Sequence, residues 1–203
     1  MRQIGLDIGL TEKDLQACAS RYHFTEENIG QLHNVYVSMQ LLLQCSVEYE
    51  AAKKDNMVIC AVTLGRWIDE LQDIYERAGK VMSAYMVECL AMEMLTKAYE
   101  QTAVILHREM GLWVSGYVFF GDELTLEQMA DALKNYGAKS VQCNEAYGLI
   151  PQKSVVYMAQ LTDVRQESTC GICAGCKNTD CPNRQVNATY GMERIFGGNT
   201  CRD

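Results

Sequence analysis

Hydrophobic residues recur every three or four positions over much of this 203-residue chain and gather into short continuous runs elsewhere. The two patterns predict different elements. Thr11, with Asp14 three residues on, has the form of a capping box, so TEKDLQACASRY reads as a short helix. Thr25-Glu26-Glu27 opens a second helix, with acids in the first turn where the helix dipole favours them. That helix continues through NIGQLHNVYVSMQLLLQCSVEYEAAKK to about Lys54. It is apolar on more than one side, which suits packing against the core or against a partner. NMVICAVTL is a β-prone run and predicts a buried strand. GRWIDELQDIYERAG puts Trp67, Ile68, Leu71, Ile74 and Tyr75 on one helical face, with Gly79 as the stop. KVMSAYMVECLAMEMLTKAYEQTAVILHREMG predicts a second long helix closed by Gly111, its Met82, Met86, Met92 and Met94 serving as core filler. LWVSGYVFF, SVQCNEAYGLI and KSVVYMAQL are strand-like, and LTLEQMADALKNYG is a helix among them. Helices early and strands late predict an α+β fold.

After Leu161 the periodicity stops. TDVRQES is polar, and QVNATYGMERIFGGNTCRD is rich in Gly and Asn. The expected organisation is a helical N-terminal segment over 1–55, an α+β core over 56–162 and a cysteine-rich tail over 163–203.

Composition narrows the function. Apolar residues make up 48% and charged residues 22%, the balance of a globular protein with a real core. The net charge of −8 argues against nucleic acid, whose partners carry a basic footprint. MRQIGLDIGLTEKD lacks the apolar run of a signal peptide, and the longest apolar stretches are broken by charges before the ~20 residues of a membrane span. A cytoplasmic protein with no membrane partner is expected; a homodimer stays open.

In a reducing compartment, clustered cysteines point to metal or redox chemistry rather than disulfides. Of ten cysteines, Cys18, Cys45, Cys60, Cys89 and Cys143 are scattered through predicted elements and read as small buried hydrophobes. The other five lie in the tail. CGICAGCKNTDCPNR places Cys170, Cys173, Cys176 and Cys181 as C-x2-C-x2-C-x4-C-P, with Cys201 further on. Thiolates at x2 spacing converge on one centre when the backbone turns tightly, and Gly171, Ala174 and Gly175 permit that turn. Three such cysteines and a fourth before proline have the cadence of iron–sulfur ligation, with a last gap one residue longer than in the bacterial ferredoxin run. The favoured occupant is an iron–sulfur cluster of the 4Fe–4S type; a four-cysteine zinc site is the alternative.

No G-x-x-x-x-G-K-[ST] loop, G-x-S-x-G elbow or H-E-x-x-H pair is present. His23, His33 and His107 are far apart in sequence and read as surface or satisfied core residues.

Several short segments resemble, in order, those of the activation (reactivation) domain of cobalamin (vitamin B12)-dependent methionine synthase, in its short stand-alone form from anaerobic bacteria. Thr63-Leu64-Gly65 with Ile68-Asp69 is similar to the T-L-G…I-D segment of that family, Gly116-Tyr117 to its G-Y turn, and Leu126-Glu127-Gln128 to the helix start that follows. Asn144-Glu145, then Pro151 and Lys153-Ser154-Val155, resemble its E-S…P-x-x-S-V strand pair, with Ala146 where the family has serine. The match covers about residues 58–161.

The resemblance implies a twisted antiparallel sheet with flanking helices. It also implies a job accessory to methionine synthase: helping to return inactive cob(II)alamin to methylcobalamin with S-adenosylmethionine and an electron donor. It makes Gly116, Tyr117, Glu145, Pro151 and Ser154 the candidate cofactor-binding surface. The family's R-x-x-x-G-Y arginine, which helps hold the S-adenosylmethionine carboxylate, is replaced here by Leu112, with Arg108 at the preceding helix end. The D-x-H-x-x-G cobalt-ligand motif is absent, so the resemblance implies action in trans on a separate corrinoid-binding methyltransferase, which would supply the cobalamin. Alternatives are a non-catalytic corrinoid or S-adenosylmethionine binding module with a structural zinc site, and a different iron–sulfur enzyme.

Overall fold

The computed structural model describes residues 1–52, 56–121 and 123–165. In chain order the elements are β1 (Arg2–Gly5), α1 (Glu12–Arg21), α2 (Glu26–Leu42), β2 (Ser46–Ala51), β3 (Met57–Thr63), α3 (Arg66–Arg77), α4 (Val81–Met110), β4 (Trp113–Phe119), α5 (Leu126–Asn135), β5 (Gln142–Cys143), β6 (Leu149–Ile150) and β7 (Ser154–Thr162). The fold is mixed α+β. Five strands form an antiparallel sheet in the order β1-β2-β3-β7-β4, and β5 and β6 form a separate pair.

β3 reads as a continuous apolar run because both its faces are covered. Val58, Cys60 and Val62 join Tyr157, Ala159 and Leu161 of β7 in a core with the buried residues of α1 to α4. Ile59 and Ala61 face the other way and pack with Val156, with Met129 and Leu133 of α5, and with Val141. α4 carries the helix-side core along 30 residues, a length of about 45 Å at 1.5 Å per residue. It ends where Gly111 turns left-handed (φ 71°) and donates its N–H to His107 O at 2.8 Å. Met86 and Met94 are fully buried in this core, whereas Met82 is 44% exposed.

The N-terminal stretch departs from the expectation of helix alone. α2 ends at Leu42, not near Lys54, and SVEYEA forms β2. The chain turns extended at Leu43, whose ψ is 127°. Backbone partners on both sides then hold it: Gln44 N–H donates to Leu64 O (3.1 Å), and Leu6 N–H donates to Cys45 O (2.9 Å). Val47 and Tyr49 enter the helix-side core, while Glu48 points to the opposite face. Glu48 is 1% exposed, and its Oε2 accepts from Lys139 N–H (2.9 Å) and Ser140 N–H (3.0 Å). The buried carboxylate is satisfied by backbone donors and fixes the segment between α5 and β5. Residues 1–55 thus add β1 and β2 to the same sheet.

SVQCNEAYGLI is not one strand but the β5–β6 hairpin. Asn144 makes its turn: Oδ1 accepts from Ala146 N–H (2.9 Å) and Gly148 N–H (2.8 Å). α1 opens with the capping box read from the sequence, Thr11 N–H to Asp14 Oδ2 (2.8 Å) and Asp14 N–H to Thr11 Oγ1 (3.2 Å). Among the described residues no helix is long and apolar enough to cross a membrane.

Candidate functional site

Two segments more than 80 residues apart in sequence meet at one corner of the sheet. β3 and β7 pair so that Thr63 lies opposite Ser154. Ser154 Oγ–H donates to Thr63 Oγ1 at 2.8 Å, and that oxygen also accepts the Gly65 N–H at 3.0 Å. Leu64 N–H donates to Lys153 O at 2.9 Å. One turn into α3, the Asp69 carboxylate reaches back across the corner. Its Oδ2 accepts Gln152 N–H at 2.6 Å and its Oδ1 accepts Lys153 N–H at 3.2 Å. A carboxylate taking two backbone N–H groups is a strong, charge-assisted clamp.

The same loop is tied to α4. Lys153 is 7% exposed, and its Nζ meets Glu88 Oε2 at 2.6 Å. Pro151 is buried after a cis Ile150–Pro151 bond. Gly65 has φ 92°, and a Cβ there would lie 2.8 Å from Gln44 Cβ. The T-L-G turn therefore needs its glycine twice, for backbone angle and for room.

Of the five candidate cofactor-binding residues, Pro151 and Ser154 belong to this corner. Gly116 and Tyr117 sit on β4, opposite Gln160 and Ala159 of β7. Being adjacent in a strand, they face opposite sides of the sheet. Gly116 shares the face of Gln160, and Tyr117 turns toward α4. There its ring lies 6.1 Å from Tyr99 and 5.6 Å from Tyr157, both edge-to-face, and 6.4 Å from Phe119. Burial pushes the Tyr117 hydroxyl well above the usual phenol range, so it is a neutral donor at physiological pH. Ser154 projects from the other face, level with Thr63. The structure thus joins Ser154 to Thr63 and does not place Tyr117 with them. Glu145 is exposed in the β5–β6 turn, beside Tyr147 at φ 62°.

Leu112, at the arginine position of the resemblance, is half-buried against the helix-side core. Arg108 is exposed, with its Nε 3.5 Å from Glu109 Oε1. Cys170, Cys173, Cys176 and Cys181 lie outside the described residues. Among the described residues no cluster of three or more His, Cys, Asp or Glu side chains is gathered to hold a metal. Cys18, Cys45, Cys60 and Cys89 are buried; burial pushes the first three up to about 12 and Cys89 up to about 11. These thiols stay protonated at neutral pH, which makes them poor nucleophiles.

Sequence reasoning missed Glu88 as partner of Lys153 and Asp69 as the clamp on residues 152–153. The spacing of Asp69 and Gly65 at a helix start was visible, but its partner, 83 and 84 residues on, was not. No protein-family model matches the chain, and no curated protein is found to be similar to it.

Proposed function

We propose that this chain is a stand-alone reactivation protein for a cobalamin-dependent methionine synthase or related corrinoid methyltransferase. The observation that supports this reading is the corner itself. The separate segments on which the resemblance rests, Thr63 to Asp69 and Pro151 to Ser154, are bonded to each other by Ser154–Thr63, Leu64–Lys153 and Asp69–Gln152. Segments that share one built corner are a stronger ground than short motifs read singly.

The residues divide the work in this reading. The corner is a rigid, largely buried joint in which Thr63 is enclosed and only Gln152 and part of Ser154 reach the surface, held by Asp69 through neighbouring backbone and by Lys153 through Glu88. Gly116, on the face of Gln160, leaves room for that side chain: a Cβ there would lie 2.7 Å from Gln160 Oε1. The fit to S-adenosylmethionine is poor at one point: its carboxylate needs a cation, and Leu112 offers an apolar side chain packed toward the core. The donor set of the tail fits an iron–sulfur centre better, because four thiolates in one short segment match its ligation. Such a centre supplies one-electron transfer at low potential, which is what cob(II)alamin requires. Cys170, Cys173, Cys176 and Cys181 would hold it.

Leu112 favours a second reading, a non-catalytic corrinoid-binding module whose tail holds structural zinc. Metal analysis of chain purified without oxygen separates the two. The first reading expects about four irons with matching sulfide per chain and a broad absorbance that dithionite bleaches, both lost in Cys173→Ser. About one zinc, no sulfide and no colour would overturn it in favour of the second.

A further inference from the structure

α2 has two apolar sides, and the fold uses one of them. Leu32, Val35 and Met39 are buried in the helix-side core. The opposite side carries Gly30, Asn34, Val37 and Leu41, all exposed; Val37 is 56% exposed and Leu41 82%. Their spacing is four, three, four, the a/d cadence of a helix that packs along a second helix. One side chain is absent at Gly30, where an added Cβ would meet nothing within 4 Å.

Charge identifies the occupant. From Asn28 to Val47 the chain has no Asp, Glu, Lys or Arg, although it carries a net charge of −8. Two copies of so acidic a chain repel each other over most of their surface. They can meet with least cost along a seam free of charge. A basic partner would instead be met by acids, which this face lacks. The residue pattern is also self-complementary when two copies run antiparallel. The seam is then centred between Asn34 and Val37, so that the large Leu41 of each copy meets the bare Gly30 of the other, and each Asn34 meets a Val37. An isologous twofold contact needs such a patch that fits itself.

We infer that the outer face of α2, through Gly30, Asn34, Val37 and Leu41, pairs antiparallel with the same face of a second copy to form a twofold dimer. One helix pair is at the small end of specific interfaces, so the dimer is reversible and concentration-dependent. The inference is independent of the corrinoid reading.

Sedimentation of the full chain under a thiol reductant, which removes disulfide cross-links through the tail, tests it. The expected mass rises with loading from 22.9 kDa toward twice that value. Leu41→Lys and Gly30→Glu, both at exposed sites that leave the circular dichroism unchanged, each weaken association at least tenfold. The double variant, which sets a cation of one copy against an anion of the other, restores it. A wild-type chain that stays monomeric at every loading overturns the proposal, as does a dimer indifferent to Leu41→Lys. Loss in both single variants without restoration in the double overturns the antiparallel pairing.

Discussion

Stability is expected to fall steeply between pH 9 and pH 11, by on the order of 5 kcal/mol at pH 10 relative to pH 8. Four buried thiols carry the effect. In the unfolded chain a cysteine ionises near 9, whereas burial holds Cys18, Cys45 and Cys60 protonated up to about 12 and Cys89 up to about 11. Above pH 9 the unfolded state therefore binds fewer protons than the folded state, so each pH unit shifts the balance toward unfolding. The contribution is fully present below pH 9 and is lost as the pH climbs toward the folded values. Each thiol is worth about 1.4 kcal/mol per pH unit in that window. Four together approach the ~5–15 kcal/mol by which a domain this size is stable. Tyr22 and Tyr157, also raised by burial, add the same sign at still higher pH. Urea unfolding at pH 8, 9 and 10 under reductant reads the effect as a falling midpoint. A midpoint unchanged to pH 10 would mean that these thiols are not sealed in the core.

Replacing Asp69 with alanine is expected to cost about 2–3 kcal/mol and to loosen the corner specifically. The carboxylate accepts two backbone N–H groups, from Gln152 and Lys153. Hydrogen bonds to a charged acceptor are worth about 1.5–3 kcal/mol each. Gln152 is exposed, so its freed N–H turns to water, which keeps the total below the simple sum; the N–H of buried Lys153 does so less easily and carries most of the cost. Asp69→Asn, which keeps an acceptor oxygen but not the charge, should cost about half as much. The urea midpoint should drop with unchanged slope, and amide exchange should quicken at residues 152–154 more than in β3. A global loss with no local change in exchange would show that Asp69 is not the clamp.

Much of the fold was legible where local chemistry marks an element at both ends. Gly111 announces the end of α4, and Thr11 with Asp14 opens α1 as a capping box. β3 and β7 declared themselves as β-prone runs. β2 was not legible, because nothing between Leu42 and Ser46 breaks a helix: there is no Pro and no Gly, and the apolar spacing of α2 runs on into it. What ends the helix is tertiary, the pairing of Gln44 with Leu64 and of Leu6 with Cys45. β1 is four residues with little burial, too short to show a period.

The site was half legible for the same reason. Pro151 and Ser154 stood out by resemblance, and they lie in the corner. Gly116 and Tyr117 were grouped as neighbours in sequence, yet strand geometry sends neighbours to opposite faces, and Tyr117 joins Tyr99 and Tyr157 instead. The Lys153–Glu88 pair spans 65 positions, and no local pattern marks a contact between a strand-entry loop and mid-helix at that distance.

The measurement that bears most directly on the proposed role is the fate of the cobalt. Chain reduced with dithionite and then freed of it is mixed, without oxygen, with a corrinoid methyltransferase holding cob(II)alamin. One electron leaves each chain and one enters each cobalt. The absorbance of cob(I)alamin should appear in step with the re-oxidation of the chain, and Cys173→Ser should give neither change. A cob(II)alamin spectrum left unaltered by the reduced wild-type chain would contradict the account.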